Sequence, residues 1–138
     1  MIWILSENEP AFAHRLLETL RDEGEDARAI TESLSLEKLR HYGSQLKKED
    51  LIIVYAEDAI LPYLVACKTP GIVACLCADE HTAHMTREHN NARVLILDQS
   101  VSAPEFAYVM ARRFLATPYA GGRHQIRVDM LERMDGLL

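Results

Sequence analysis

The sequence predicts an α/β fold: a three-layer α/β/α sandwich around a five-stranded parallel, Rossmann-like sheet. Three observations lead there. Short unbroken apolar runs such as Leu51-Ile52-Ile53-Val54-Tyr55 recur along the chain, as expected for strands buried on both faces. Each run is followed by a longer segment with helical spacing, the alternation that produces a parallel sheet covered on both sides. Finally, 138 residues with 49% apolar content suffice for one core, and no repeat, low-complexity tract or linker divides the chain, so residues 1–138 read as a single domain.

Taken in order, Met1 to Leu5 is the first strand, and Ser6-Glu7-Asn8-Glu9-Pro10 is a loop with a capping Asn or Glu and an early helical Pro. Phe12, Leu16, Leu17 and Leu20 hold a helical period up to Gly24. Ala27 to Ile30 is a weaker second strand, and Leu36 to Lys48 a charged second helix. The third strand, Leu51 to Tyr55, precedes an ambiguous, helix-leaning segment from Ala56 to Lys68. After Pro70-Gly71 come a fourth strand (Ile72 to Cys77), a polar helix (Asp79 to His89), a fifth strand (Val94 to Leu97) and a long helix (Pro104 to Ala116). Gly121-Gly122 opens the last helix. In such sheets ligands bind beyond the carboxyl ends of the strands, which directs attention to Ser6–Pro10, Ala56–Leu61, Ala78–Glu80 and Asp98–Ala103.

Composition narrows the function. Fifteen Lys and Arg against 21 Asp and Glu leave a formal charge of -6, which argues against nucleic acid or an anionic membrane as partner. The N-terminus has neither a basic region nor a long apolar segment, and no apolar run nears the ~18 residues of a membrane span, so a cytoplasmic protein is expected. Cys67, Cys75 and Cys77 are odd in number and lie in or beside apolar runs, as reduced, packed thiols would; a metal pair is not expected.

Two polar clusters carry candidate chemistry. In Gly121-Gly122-Arg123-His124-Gln125-Ile126-Arg127, two glycines leave amides unshielded where a helix begins, and a helix start attracts anions. Arg123 and Arg127, four apart, would project from one helix face and chelate a phosphate, with His124 a third nitrogen donor. The plain alternative is a solvated helix whose arginines pair with Asp129 and Glu132. In Arg87-Glu88-His89-Asn90-Asn91, the His89 imidazole could exchange a proton with a sugar ring oxygen while Asn90 holds a hydroxyl. The alternative there is an ordinary helix end, with His favouring the dipole and Asn supplying a left-handed cap.

Lys68-Thr69-Pro70-Gly71, Asp79-Glu80, the run Met85 to Arg93 and the run Gly121 to Met130 together resemble the type B ribose-5-phosphate isomerase and galactose-6-phosphate isomerase family, most of all its galactose-6-phosphate isomerase subunits. The likeness is specific over Lys68 to Met134 and weak before it. It implies interconversion of aldose and ketose phosphates through an enediolate, with no metal or cofactor. It assigns ring opening to His89, with Asn90 beside it, and the phosphate to Arg123, His124 and Arg127.

Elsewhere the chain departs from that pattern. Where the isomerases carry a cysteine base followed by a glycine-rich loop, this chain reads Ala56 and Glu57-Asp58-Ala59-Ile60-Leu61. Alanine cannot move a proton, and two carboxylates without glycines make a poor cradle for an anion. After the first strand, Asn8-Glu9-Pro10-Ala11 replaces the family's Asp-His-Ala-Gly. The family's site lies across a subunit interface, so the resemblance implies a phosphorylated sugar as ligand and, as partner, a homologous cysteine-bearing subunit or a second copy. Three other readings stand beside it: a catalytically inactive phosphosugar-binding homologue, a homo-oligomeric enzyme with Glu57 as base, and a magnesium-binding receiver-like pocket formed by Glu7, Glu9, Glu57 and Asp58.

Overall fold

A computed structural model describes residues 1–137. Five strands form one parallel sheet: β1 (Ile2–Ser6), β2 (Ala27–Ile30), β3 (Leu51–Ala56), β4 (Ala74–Leu76) and β5 (Val94–Asp98), in the order β2-β1-β3-β5-β4. Between and after them run α1 (Pro10–Asp22), α2 (Leu36–Gln45), α3 (Ile60–Cys67), α4 (Glu80–Asn90), α5 (Pro104–Ala116), a 3₁₀ turn (Gly122–His124) and α6 (Gln125–Met134).

The three most apolar runs became the three central strands because each is covered above and below. Ile4 pairs with Ala29 on one side and Ile53 on the other, and Ile53 pairs in turn with Leu95. Alternate residues then feed two separate cores. Ile4, Ile53, Tyr55, Leu95 and Leu97 pack with Phe12, Leu16 and Leu20 of α1, Ala83 of α4 and Met110 and Phe114 of α5. Leu5, Ile52, Val54, Val94 and Ile96 pack with Leu39 and Tyr42 of α2 and with Ala59, Tyr63 and Val65 around α3. This is the three-layer sandwich the alternation of elements implies.

Four local expectations change. α2 stops at Gln45 rather than Lys48, because the buried Asp50 carboxylate accepts from the Lys47 amide (2.9 Å) and the Trp3 indole (3.4 Å) and pulls the chain out of the helix. Only Ala74 to Leu76 of the expected fourth strand is laddered, since this edge strand pairs with β5 alone. Cys67 is exposed, whereas Cys77 is buried and donates to Cys75 across 3.4 Å, a contact that lowers the Cys75 thiol to about 7 against the opposing effect of burial. No side-chain cap begins α1; Glu9 stands at the N-cap, and the Ser6 hydroxyl donates to the Glu9 carbonyl (2.7 Å) instead.

Candidate functional site

α4 positions the first group. The Asp79 carboxylate caps it by accepting from the Thr82 amide (2.6 Å) and hydroxyl (2.8 Å), bonds that hold Asp79 below the usual carboxylate range. Ala83 and Thr86 are buried, and the helix is closed by Asn91 in the left-handed conformation (φ 53°), whose side chain accepts from Arg87 at 2.6 Å. The helix-end reading of this segment is therefore right for Asn91. His89 lies in the last turn with a half-exposed ring, and Asn90 is the exposed final helical residue.

The second group arrives through the glycine pair. The segment after α5 is tied to α4 where the Ala120 amide donates to the Glu88 carbonyl (3.0 Å). Gly121 (φ 61°, ψ -134°) and Gly122 (φ 56°) then turn the chain in conformations that suit a residue lacking Cβ. Contrary to the sequence expectation, α6 does not start at these glycines. The 3₁₀ turn intervenes, so Arg123 sits on the turn and Arg127 in the first turn of α6.

They nevertheless face one cleft. His89, Arg123, His124 and Arg127 line a space of about 360 Å³. The imidazoles of His89 and His124 stack with centroids 4.1 Å apart and planes 13° from parallel. Burial, and then the electrostatic influence of the neighbouring His89, Arg123 and Arg127, lower the pKa of His124. Asp129 accepts from Gln125 (2.8 Å), and Gln125 accepts from Tyr119 (2.9 Å), so the nearest acid on α6 is occupied. Among the described residues neither Arg123 nor Arg127 has an ion-pair partner. The pairing with Asp129 and Glu132 that a solvated helix would make does not form.

Arg87 and Arg93, the two arginines nearest in the fold's interior, behave differently. Arg87 bonds Asn91 and the Ala92 carbonyl, and Arg93 bonds the carbonyls of Lys47, Lys48 and Gly71, both half-buried and wholly structural. Two guanidinium forks without ion-pair partners and two imidazoles, in a chain of net charge -6, form an arrangement chemically suited to an anion. Asn90 is not among the residues lining it.

The cleft's location differs from the general rule for open sheets. α4 runs back antiparallel to the strands, so its last turn, and the cleft with it, lies near their amino ends. The carboxyl ends are occupied by something else. Glu7, after β1, accepts from the amides of Leu34 (2.5 Å) and Glu57 (3.1 Å), while Asn8, at φ 53°, donates to the Glu57 carboxylate (3.1 Å). Gln99, after β5, donates to the carbonyls of Glu7 (2.7 Å) and Tyr55 (3.0 Å). Four loops, those after β1, β2, β3 and β5, are thus stitched together at the tip where Ala56 ends β3, itself buried at 1% exposure. The sequence marks these strand ends as places to search and groups Glu7 with Glu57, but the hydrogen bonds themselves, between residues 27 to 92 apart, have no local signal. Among the described residues no group of three or more His, Cys, Asp or Glu is arranged to hold a metal, and no helix is long and apolar enough to cross a membrane.

Comparison with known proteins adds to this geometry. The Ribose/Galactose Isomerase family profile matches residues 40–131, two-thirds of the chain and the whole of the cleft. The chain belongs to that family. Among curated members of the ribose/galactose isomerase family, galactose-6-phosphate isomerase subunit LacA 1 of Streptococcus pyogenes serotype M18 is 51% identical over 73 residues, covering 53% of this chain and 52% of that one. Subunit LacA 2 of S. pyogenes serotype M3 is 44% identical over 87 residues, or 63% and 61% of the two chains. The chain thus spans about half the length of the curated relatives it matches. In three dimensions it resembles ribose-5-phosphate isomerase B of Mycoplasma genitalium, with a TM-score of 0.85 at 24% identity over 99% of this chain and 97% of the other. At that identity the likeness speaks for the fold, an α/β sandwich common to the family.

Proposed function

We propose that the chain is a subunit of an aldose–ketose sugar-phosphate isomerase of the galactose-6-phosphate/tagatose-6-phosphate type. In this reading Arg123, His124 and Arg127 bind the phosphate, His89 exchanges the ring-oxygen proton during opening, and Asn90 holds a hydroxyl at the rim. The enediolate step needs a group that removes a proton from one carbon and returns it to the next. A cysteine-bearing homologous subunit supplies that group.

One observation carries the reading: the unpaired arginines converge with His89 on a single cleft, near the sheet end opposite Ala56. A phosphate grip and a proton-transfer loop at opposite ends of a chain can serve one substrate only if two chains meet. Exposed apolar residues near both regions suit such a meeting, with Ile60, Leu61 and Leu64 on α3 and Ile126, Met130 and Met134 on α6. The test is co-expression with a cysteine-bearing family member. Co-purification as one assembly is expected; two chains that never associate, with full turnover by this one alone, would refute the proposal.

A second reading is favoured by the stitched loops around Glu7, Glu57 and Gln99: a catalytically inactive homologue that binds a phosphosugar and stabilises or senses. It predicts the same affinity for sugar phosphate but no turnover in any assembly.

A further inference from the structure

Cys75 and Cys77 belong neither to the cleft nor to the stitched loops, and strand geometry brings their sulfurs together. Residues two apart on a strand share one face, and Cys77 keeps the extended pattern past the end of β4 by donating its amide to the Ile96 carbonyl at 3.0 Å. Both side chains accordingly join the core built with α1, α4 and α5, whereas Ala74 and Leu76 join the other. Cys77 is buried and Cys75 partly exposed, and the Cys77 thiol donates to the Cys75 sulfur across 3.4 Å. That hydrogen bond is the largest influence on Cys75 and brings its thiol down to about 7, against burial and the Asp79 carboxylate, with Thr86 of α4 also lowering it. The same contact and burial push the Cys77 thiol up. Near neutral pH the pair therefore presents a nucleophilic thiolate at the partly exposed position with a thiol directly behind it.

We propose that Cys75 and Cys77 form a redox-active dithiol, a modification site that hydrogen peroxide converts to an intrachain disulfide. The Cys75 thiolate attacks one peroxide oxygen; the S–O bond forms as the O–O bond breaks, and the departing hydroxide takes up the proton that Cys75 had released. The product is a sulfenic acid. The Cys77 sulfur then attacks the Cys75 sulfur, the S–O bond breaks, and the hydroxide leaves with the Cys77 proton as water. Two thiols lose two electrons, and one peroxide is reduced to two waters. The sulfurs must close from 3.4 Å to about 2.05 Å, a movement of roughly 1.3 Å. A strand rise of about 3.3 Å per residue sets the two Cα atoms roughly 6.6 Å apart, inside the span of a disulfide. The sheet can yield at this place, because β4 is three residues long and pairs with β5 alone. Cys67 lies on α3, more exposed but outside the pair.

The dithiol stands apart from the role given to the cleft, and its test needs no sugar phosphate. The full chain, fully reduced, is treated at pH 7 with substoichiometric hydrogen peroxide, alkylated in denaturant, and mapped by mass spectrometry without a reducing agent. The expected product is a peptide bridged between Cys75 and Cys77, short of two hydrogens and restored by dithiothreitol, and it forms before the exposed Cys67 is oxidised. Cys77→Ser should abolish the bridge and leave Cys75 as a sulfenic acid that dimedone traps. Cys75→Ser should leave Cys77 unoxidised at the same dose. In the unmodified chain, oxidation of Cys67 ahead of the pair, or of Cys75 to a sulfinic acid while Cys77 still alkylates, overturns the proposal whether or not either variant folds.

Discussion

Replacing Arg127 by alanine removes one of the two guanidinium forks that face the cleft, and the loss should fall almost wholly on ligand affinity. Arg127 is exposed and has no ion-pair partner among the described residues, so the fold owes it little, and stability should change by less than about 0.5 kcal/mol. Its contact with a phosphate is different. A hydrogen bond to a charged group contributes about 1.5–3 kcal/mol net, and for an exposed group the lower part of that range applies because water screens the attraction. A loss of about 1.5–2 kcal/mol corresponds to a roughly 10- to 30-fold rise in Kd. Calorimetric titration with galactose 6-phosphate at low ionic strength measures it directly. Arg127→Lys should recover part of the affinity, since the charge returns without the planar fork. Added salt should weaken binding to the unmodified chain more than to Arg127→Ala. An unchanged Kd in Arg127→Ala at low salt would mean that the cleft does not grip the anion and would remove the basis for the functional reading.

Three further outcomes follow from particular contacts. His124 has a lowered pKa, so between that value and its ordinary 6.5 the unfolded chain binds more protons than the folded one; stability present above about pH 6.5 is then lost as pH falls, and His124→Gln should show a smaller loss between pH 7.5 and 5.5 by urea unfolding. Glu7→Ala strands the amides of Leu34 and Glu57 and should cost about 1–3 kcal/mol in the same assay, with phosphosugar affinity unaltered because the network lies at the other end of the sheet. Gly122→Ala, at φ 56°, should cost about 1–2 kcal/mol and weaken phosphosugar binding as well, because the turn that presents Arg123 must deform.

The sequence was most readable where local pattern and tertiary demand coincide. β1, β3 and β5 are central strands flanked by neighbours on both sides and covered by two cores, so their apolar runs needed no further context. β4 was overestimated because its edge position cannot be known before the strand order is. The end of α2 depended on Asp50 reaching the Trp3 indole, 47 residues away, which no local signal announces. Of the cleft, His89, Arg123, His124 and Arg127 were legible in two separate motifs, and the fold brings them together. Their position near the amino ends of the strands was not legible, because the usual rule for parallel sheets points the other way.

The measurement that reaches the central claim most directly is the isomerisation rate of galactose 6-phosphate by this chain purified alone, by a cysteine-bearing homologue alone, and by the two co-purified. Turnover confined to the mixed assembly, and abolished there by His89→Ala in this chain or by alkylating the partner's cysteine, is the predicted result. Equal turnover by this chain alone, or full activity of the mixed assembly carrying His89→Ala, would contradict it.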